Sequence, residues 1–201
     1  MHMQSSSLDA LEKRAYRAAV DHGFFDLLLA VAVALFALTL AVWPWFVLGL
    51  FPLVMAKRML LATFNRHVVD PRVGHVRLGP VRLDQISTAR KTAALAIFGL
   101  GLIVVRLDEI GATSGIGPMV WLGDHKQVQF GIIAGVGIGV IGWLFQLPRF
   151  LAYALVVLSM PVATSLAGLP AGTGWAIATL IVAVAAGAIV RRFVRNNPVA
   201  S

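Results

Sequence analysis

Apolar residues run along this chain in long blocks separated by short polar stretches. The first block extends from Phe24 to Ala56, with Asp26 as its one charged residue. About 20 helical residues cross a bilayer core, so this block is too long for one untilted span. Trp43-Pro44-Trp45 stands in its middle. Proline starts or breaks a helix, and paired tryptophans favour the headgroup level. The pattern predicts two helices, 24–43 and 46–64, with one long kinked helix as the rival. Later apolar blocks predict spans at 92–105, 128–147, 150–166 and 175–190. The expected fold is all-α, a polytopic membrane helix bundle of six spans.

Residue size along each span predicts which face packs. In the first span, His22, Asp26, Ala30, Ala34, Ala37 and Ala41 share one face, and Val31, Leu35, Leu38 and Val42 share another. Small faces pack against neighbouring helices, while bulky aliphatic faces suit lipid. In the fourth span Gly131, Gly135, Gly139 and Gly142 form a glycine stripe. Glycine costs a helix about 1 kcal/mol relative to alanine, so its repetition on one face points to close backbone approach. The partner can be a helix of the same chain or of a second copy, which would make a homodimer. Pro161 is expected to kink the fifth span, with Ser159, Thr164 and Ser165 able to satisfy freed backbone groups. In the sixth, Ala176, Thr179, Ala183 and Gly187 form a small face, and Arg191, Arg192 and Arg195 are expected to stop the helix.

Composition agrees with lipid as the solvent. Of 201 residues, 59% are hydrophobic and 13% charged, with mean hydropathy +0.84. A soluble domain typically carries about 25% charged residues. The absence of cysteine excludes disulfides, thiol catalysis and cysteine-ligated metals. Residues 1–23 do not read as a secretory signal, because Asp9, Glu12 and Asp21 lie among Lys13, Arg14 and Arg17. Residues 8–21 form a short helix in this reading, lying on the membrane surface or leading in from solvent.

The net charge of +8 is unevenly placed. Eight of the 17 Lys and Arg residues fall between Lys57 and Lys91. With six spans, that segment, the N-terminal segment 1–23, the Arg149 turn and the basic tail 191–201 fall on one side. The loop 107–127, with Asp108, Glu109 and Asp124, falls on the other. The positive-inside tendency makes the basic side cytoplasmic, which places both termini there in a multi-pass inner-membrane protein. Five spans would put the basic loop opposite the N-terminus. The division is then a helical hairpin at 24–64, a basic cytoplasmic loop at 65–91 and spans three to six within 92–190. Cations so arranged point to anionic lipid rather than nucleic acid. The candidate lipid or partner contacts are Lys57, Arg58, Arg72, Arg77, Arg82, Arg90 and Lys91. Residues 70–84 alternate apolar and polar positions around Gly79-Pro80, which suits a short β-like hairpin, an extended segment on the bilayer or an irregular linker.

Within this segment, Asp70-Pro71-Arg72-Val73-Gly74-His75-Val76-Arg77-Leu78 resembles the Tyr-Pro-Arg-Ile-Gly-Tyr-Val-Lys-Phe stretch of a group of small uncharacterised bacterial integral membrane proteins. Asp21-His22-Gly23-Phe24-Phe25-Asp26 is similar to the acidic-Gly-aromatic lead into their first span. The resemblance covers about residues 1–105 and departs at both aromatic positions, Asp70 and His75. It implies a bacterial inner-membrane protein and brings no activity with it.

Catalytic motifs are weak. Gly111-Ala112-Thr113-Ser114-Gly115-Ile116-Gly117 resembles the glycine turn of short-chain dehydrogenases, but membrane spans flank it where a βαβ unit is required. His2, His22, His67, His75 and His125 show no metal-ligand spacing, and no cofactor is expected. An intramembrane carboxylate is a functional candidate by default, so His22 and Asp26 are a candidate polar site. The competing reading has Asp26 hydrated near the interface or paired with a basic residue. The sequence therefore leads to a non-enzymatic structural or interaction protein whose basic loop docks anionic lipid or a partner. The alternative is a small transporter or channel subunit using Asp26.

Overall fold

The computed structural model describes residues 22–42, 48–73, 99, 106, 117–145 and 147–198. The expected helix at 8–21, the Trp43-Pro44-Trp45 turn, residues 74–91, the span at 92–105 apart from Gly99, and the glycine turn before Gly117 lie outside the described residues. The elements are α1 (Phe24–Ala41), α2 (Leu50–Phe64), a π-helical turn (Asn65–Val69), α3 (Asp70–Val73), α4 (Gly117–Asp124), α5 (Lys126–Leu144), α6 (Pro148–Leu166) and α7 (Thr173–Asn196). No strand occurs among the described residues. Helices α1, α5, α6 and α7 are each long and apolar enough to cross a membrane, which makes this an all-helical protein of membrane type.

The bundle is built with small residues inside and large ones outside. Ala30, Ala37, Gly131, Gly135, Gly142, Ala154, Gly174, Ala178 and Ala186 are buried, while Leu38, Val42, Trp143, Leu155, Leu180 and Val184 face outward. A solvent of acyl chains allows this, because helices there gain from close approach and lose nothing by exposing leucine. Helix α1 packs on α7, α5 on α6, and α6 on α7. A methyl group on Gly23 would touch Val190 Cγ2 at 2.8 Å, and one on Gly172 would touch Ala41 Cβ at 2.9 Å. Helices α1 and α7 are therefore antiparallel, with the start of α1 beside the end of α7. Both glycines hold left-handed backbone, φ +82 and +91, as the residues before α1 and α7, a conformation that side chains disfavour.

The expected faces of α1 hold as far as Ala37 and fail at its end, where Ala41 of the expected packing face is exposed, and Ala34 and Leu35 are both half-buried. His22, Asp26, Ala30 and Ala37 are buried, and Val31, Leu38 and Val42 are exposed. The expectation for α7 is reversed. Its buried face is Gly174, Trp175, Ala178, Val182 and Ala186, while Ala176, Ala183 and Gly187 are exposed. A whole tryptophan goes inside because its indole N–H has a partner there. Helix α7 also continues through Arg191, Arg192 and Arg195 to Asn196. The apolar block ends at Val190, but arginine is a good helix former and suits the C-terminal end of the dipole.

The first nine residues of the expected basic loop are helical, through the π turn and α3. Of the segment with strand alternation, residues 70–73 are helix and 74–84 lie outside the described residues. Residues 117–124 of the expected extracytoplasmic loop form α4, tied to α5 by the Gln129 side chain donating to the Leu122 carbonyl at 2.9 Å.

Candidate functional site

The first turns of α1 and α6 stand at the same end of the bundle and bring Asp26 to Arg149. Asp26 sits at the third position of α1, on the face that turns inward, and its exposure is 0%. Arg149 follows Pro148, whose fixed φ suits the first turn of a helix, and its Nε lies 3.0 Å from Asp26 Oδ1. The Arg149 side chain keeps 21% exposure, with its Nε buried against the carboxylate. Tyr153, one turn further along α6, is buried as well, and neither Asp26 oxygen has a hydrogen-bond partner among the described residues. A lone carboxylate in an apolar interior is costly unless paired, and here the Arg149 cation pairs with it.

His22 lies beside this pair in sequence but faces another cluster. Its exposure is 1%, and its Nδ1 accepts the Phe24 N–H at 3.2 Å. Its ring meets Phe64 at 5.2 Å and Phe193 at 6.2 Å between centroids. His22 thus joins the start of α1 to the ends of α2 and α7. The expected polar site therefore divides in two: Asp26 belongs to a charged pair with α6, and His22 belongs to an aromatic junction.

The glycine stripe lies against α6 of the same chain. A methyl on Gly135 would sit 2.9 Å from Leu158 Cβ and 3.0 Å from the Ala154 carbonyl. One on Gly142 would sit 2.7 Å from Phe150 Cβ, and one on Gly131 would sit 3.3 Å from the Val157 oxygen. Gly139 is looser, at 3.5 Å from Ala154 Cβ. Pro161 lacks the N–H that would bond the Val157 carbonyl four residues earlier, and the bare backbone of Gly131 approaches that freed oxygen. A dimer seam through this stripe would require α6 to leave it.

At the opposite end Gln127 ties three helices together. Its Nε2 donates to Ser165 Oγ at 2.6 Å, and its Oε1 accepts the Gly172 N–H at 3.0 Å. Its backbone carbonyl accepts the Trp175 indole N–H at 3.1 Å. Gln127→Leu is expected to lower stability by about 1–2 kcal/mol, since it leaves the buried Gly172 N–H without a partner. Thermal unfolding in detergent micelles measures this, and an unchanged midpoint would contradict the role given to Gln127.

Of the expected lipid contacts, Lys57 and Arg58 are exposed on α2. Arg72 is half-buried on α3, its Nη1 donating to the Val68 carbonyl at 2.8 Å. Arg77, Arg82, Arg90 and Lys91 lie outside the described residues. Among the described residues no cluster of three His, Asp or Glu side chains suits a metal ion.

Arg149, Tyr153, Gln127 and Trp175 are the residues that sequence reasoning did not single out. Arg149 had a signal: its turn and the start of the first span fall on the same side in the charge-based topology. Gln127 had none beyond being a polar residue just before an apolar run. No family model matches the chain, no curated protein is similar to it in sequence, and no solved structure is similar to it in fold.

Proposed function

We propose that this is a bacterial inner-membrane protein of structural or interaction type, whose basic cytoplasmic segment docks anionic lipid. The observation that carries the reading is the state of Asp26. The carboxylate has no exposed surface and is paired with Arg149. It offers no hydrated group to a substrate path, which a small transporter built on it would require.

Six spans with both termini cytoplasmic complete the proposal. The end of α1 and the start of α5 both lie beside Gly172. An even number of crossings between them fits this placement, which supports six spans over five. Helix α2 leads back toward the start of α1, where Phe64 meets His22 and Phe24 at 5.2 and 5.3 Å. One further crossing between residues 73 and 117 would return the chain.

The test is vesicle association. Arg72→Gln/Arg77→Gln/Arg82→Gln is expected to weaken recovery with phosphatidylglycerol vesicles by about a hundredfold, at about 1 kcal/mol per arginine. Phosphatidylcholine vesicles should show no change. Equal recovery of variant and parent would remove the lipid-docking reading.

A further inference from the structure

Helix α2 is peripheral and meets the α1 segment at both ends, through Gly49 against Leu35 at its start and Phe64 at its end. Phe64 packs on His22 and Phe24, so the opposite face points away from α1. At helical spacing that outer face carries Met55, Arg58, Met59, Ala62 and, at the first residues of the π turn, Arg66. All five are exposed. Arg58, Ala62 and Arg66 follow one another at steps of four, so a small residue sits between two arginines about 12 Å apart along the axis. Two extended arginine side chains can close that distance. Neither has a hydrogen-bond or ion-pair partner among the described residues.

The level of this notch defines what fits it. Phe64 marks the end of the bundle where α1 starts and α7 carries its terminal arginines. Arg58 lies about 9 Å before Phe64 along α2 and Arg66 about 3 Å beyond it, so the two bracket that level. Along the same face Met59, one residue past Arg58 and within the notch, and Met55, three residues before Arg58, are 69% and 64% exposed. Two cations flanking a small residue, with unbranched apolar side chains between and before them on the same face, match a molecule with an anionic head and an acyl tail. A soluble anion would gain nothing from the methionines.

We infer that this face holds one anionic phospholipid, its phosphate between Arg58 and Arg66 over Ala62 and an acyl chain along Met59 and Met55. The inference rests on the lipid-docking reading above and adds a discrete site outside the 70–84 segment. Guanidinium groups grip phosphate oxygens in paired hydrogen bonds, and the notch lets one phosphate meet two of them.

The full chain in phosphatidylglycerol nanodiscs, transferred to detergent and weighed by native mass spectrometry, tests it. The parent should retain one phosphatidylglycerol. Arg58→Gln/Arg66→Gln should retain it about thirtyfold less, about fivefold per arginine. Ala62→Trp, which keeps both charges and fills the notch, should also lose it. Retention in both variants equal to the parent overturns the site. So does displacement of the lipid by glycerol phosphate alone, which would mean the tail contributes nothing. If only the Arg72/Arg77/Arg82 variant loses lipid, this site is wrong and the docking reading stands. If no variant loses lipid, both fall.

Discussion

Gly174→Ala is expected to loosen the bundle at the contact of α6 and α7, at a cost of about 3 kcal/mol. The added methyl would lie 2.5 Å from Thr164 Oγ1 and 2.6 Å from the Met160 carbonyl oxygen. The hydroxyl can rotate, but the carbonyl belongs to the helix backbone and cannot yield without moving α6. Overpacking in a well-filled core costs about 1–3 kcal/mol, and a backbone obstacle puts this site at the top of that range. The shift would also strain the indole bond from the next residue, Trp175, to the Gln127 carbonyl. The control is Gly187→Ala on the same helix. Nothing lies within 4 Å of a methyl there, so the substitution should leave stability unchanged or raise it by about 0.5–1 kcal/mol through helix propensity. Unfolding both variants in the same detergent gives the comparison. If Gly187→Ala were the more damaging of the two, the packing face of α7 described here would be wrong.

That comparison also marks where the sequence stops being legible. Residue size predicts the faces of α1, because its small residues and its two polar ones coincide on one stripe and its bulky residues on another. The same reasoning fails on α7. Two stripes of small residues run along it, through Ala176 and Ala183 and through Gly174, Ala178 and Ala186, and size alone does not rank them. What decides is the Trp175 indole, which needs a buried acceptor and finds it on α5, at the Gln127 carbonyl, 48 residues away in sequence but adjacent in space. The glycine stripe of α5 is legible as a close-contact face, while its partner is not: the spacing says that a backbone approaches, and only the fold says that it is α6. Helix ends are the least legible feature, since a run of arginines that ends an apolar block is itself helix-forming.

Arg149→Met is expected to be the most damaging single change at the candidate site, about 3–5 kcal/mol, the range for breaking a buried ion pair from one side. It strands the Asp26 carboxylate, which has no exposed surface and no hydrogen-bond partner among the described residues. Asp26→Asn should cost less. The arginine side chain it leaves behind is 21% exposed, and a long arginine stem can carry its charge outward to headgroup water. The asymmetry follows from which partner can reach solvent, and it separates a structural pair from a merely proximate one. The double variant Asp26→Asn/Arg149→Met should recover most of the loss, because replacing both members of a buried pair removes the stranded charge. Additive losses in that cycle would mean that Asp26 and Arg149 act independently, and the reading of Asp26 as a locked, non-transporting carboxylate would lose its support.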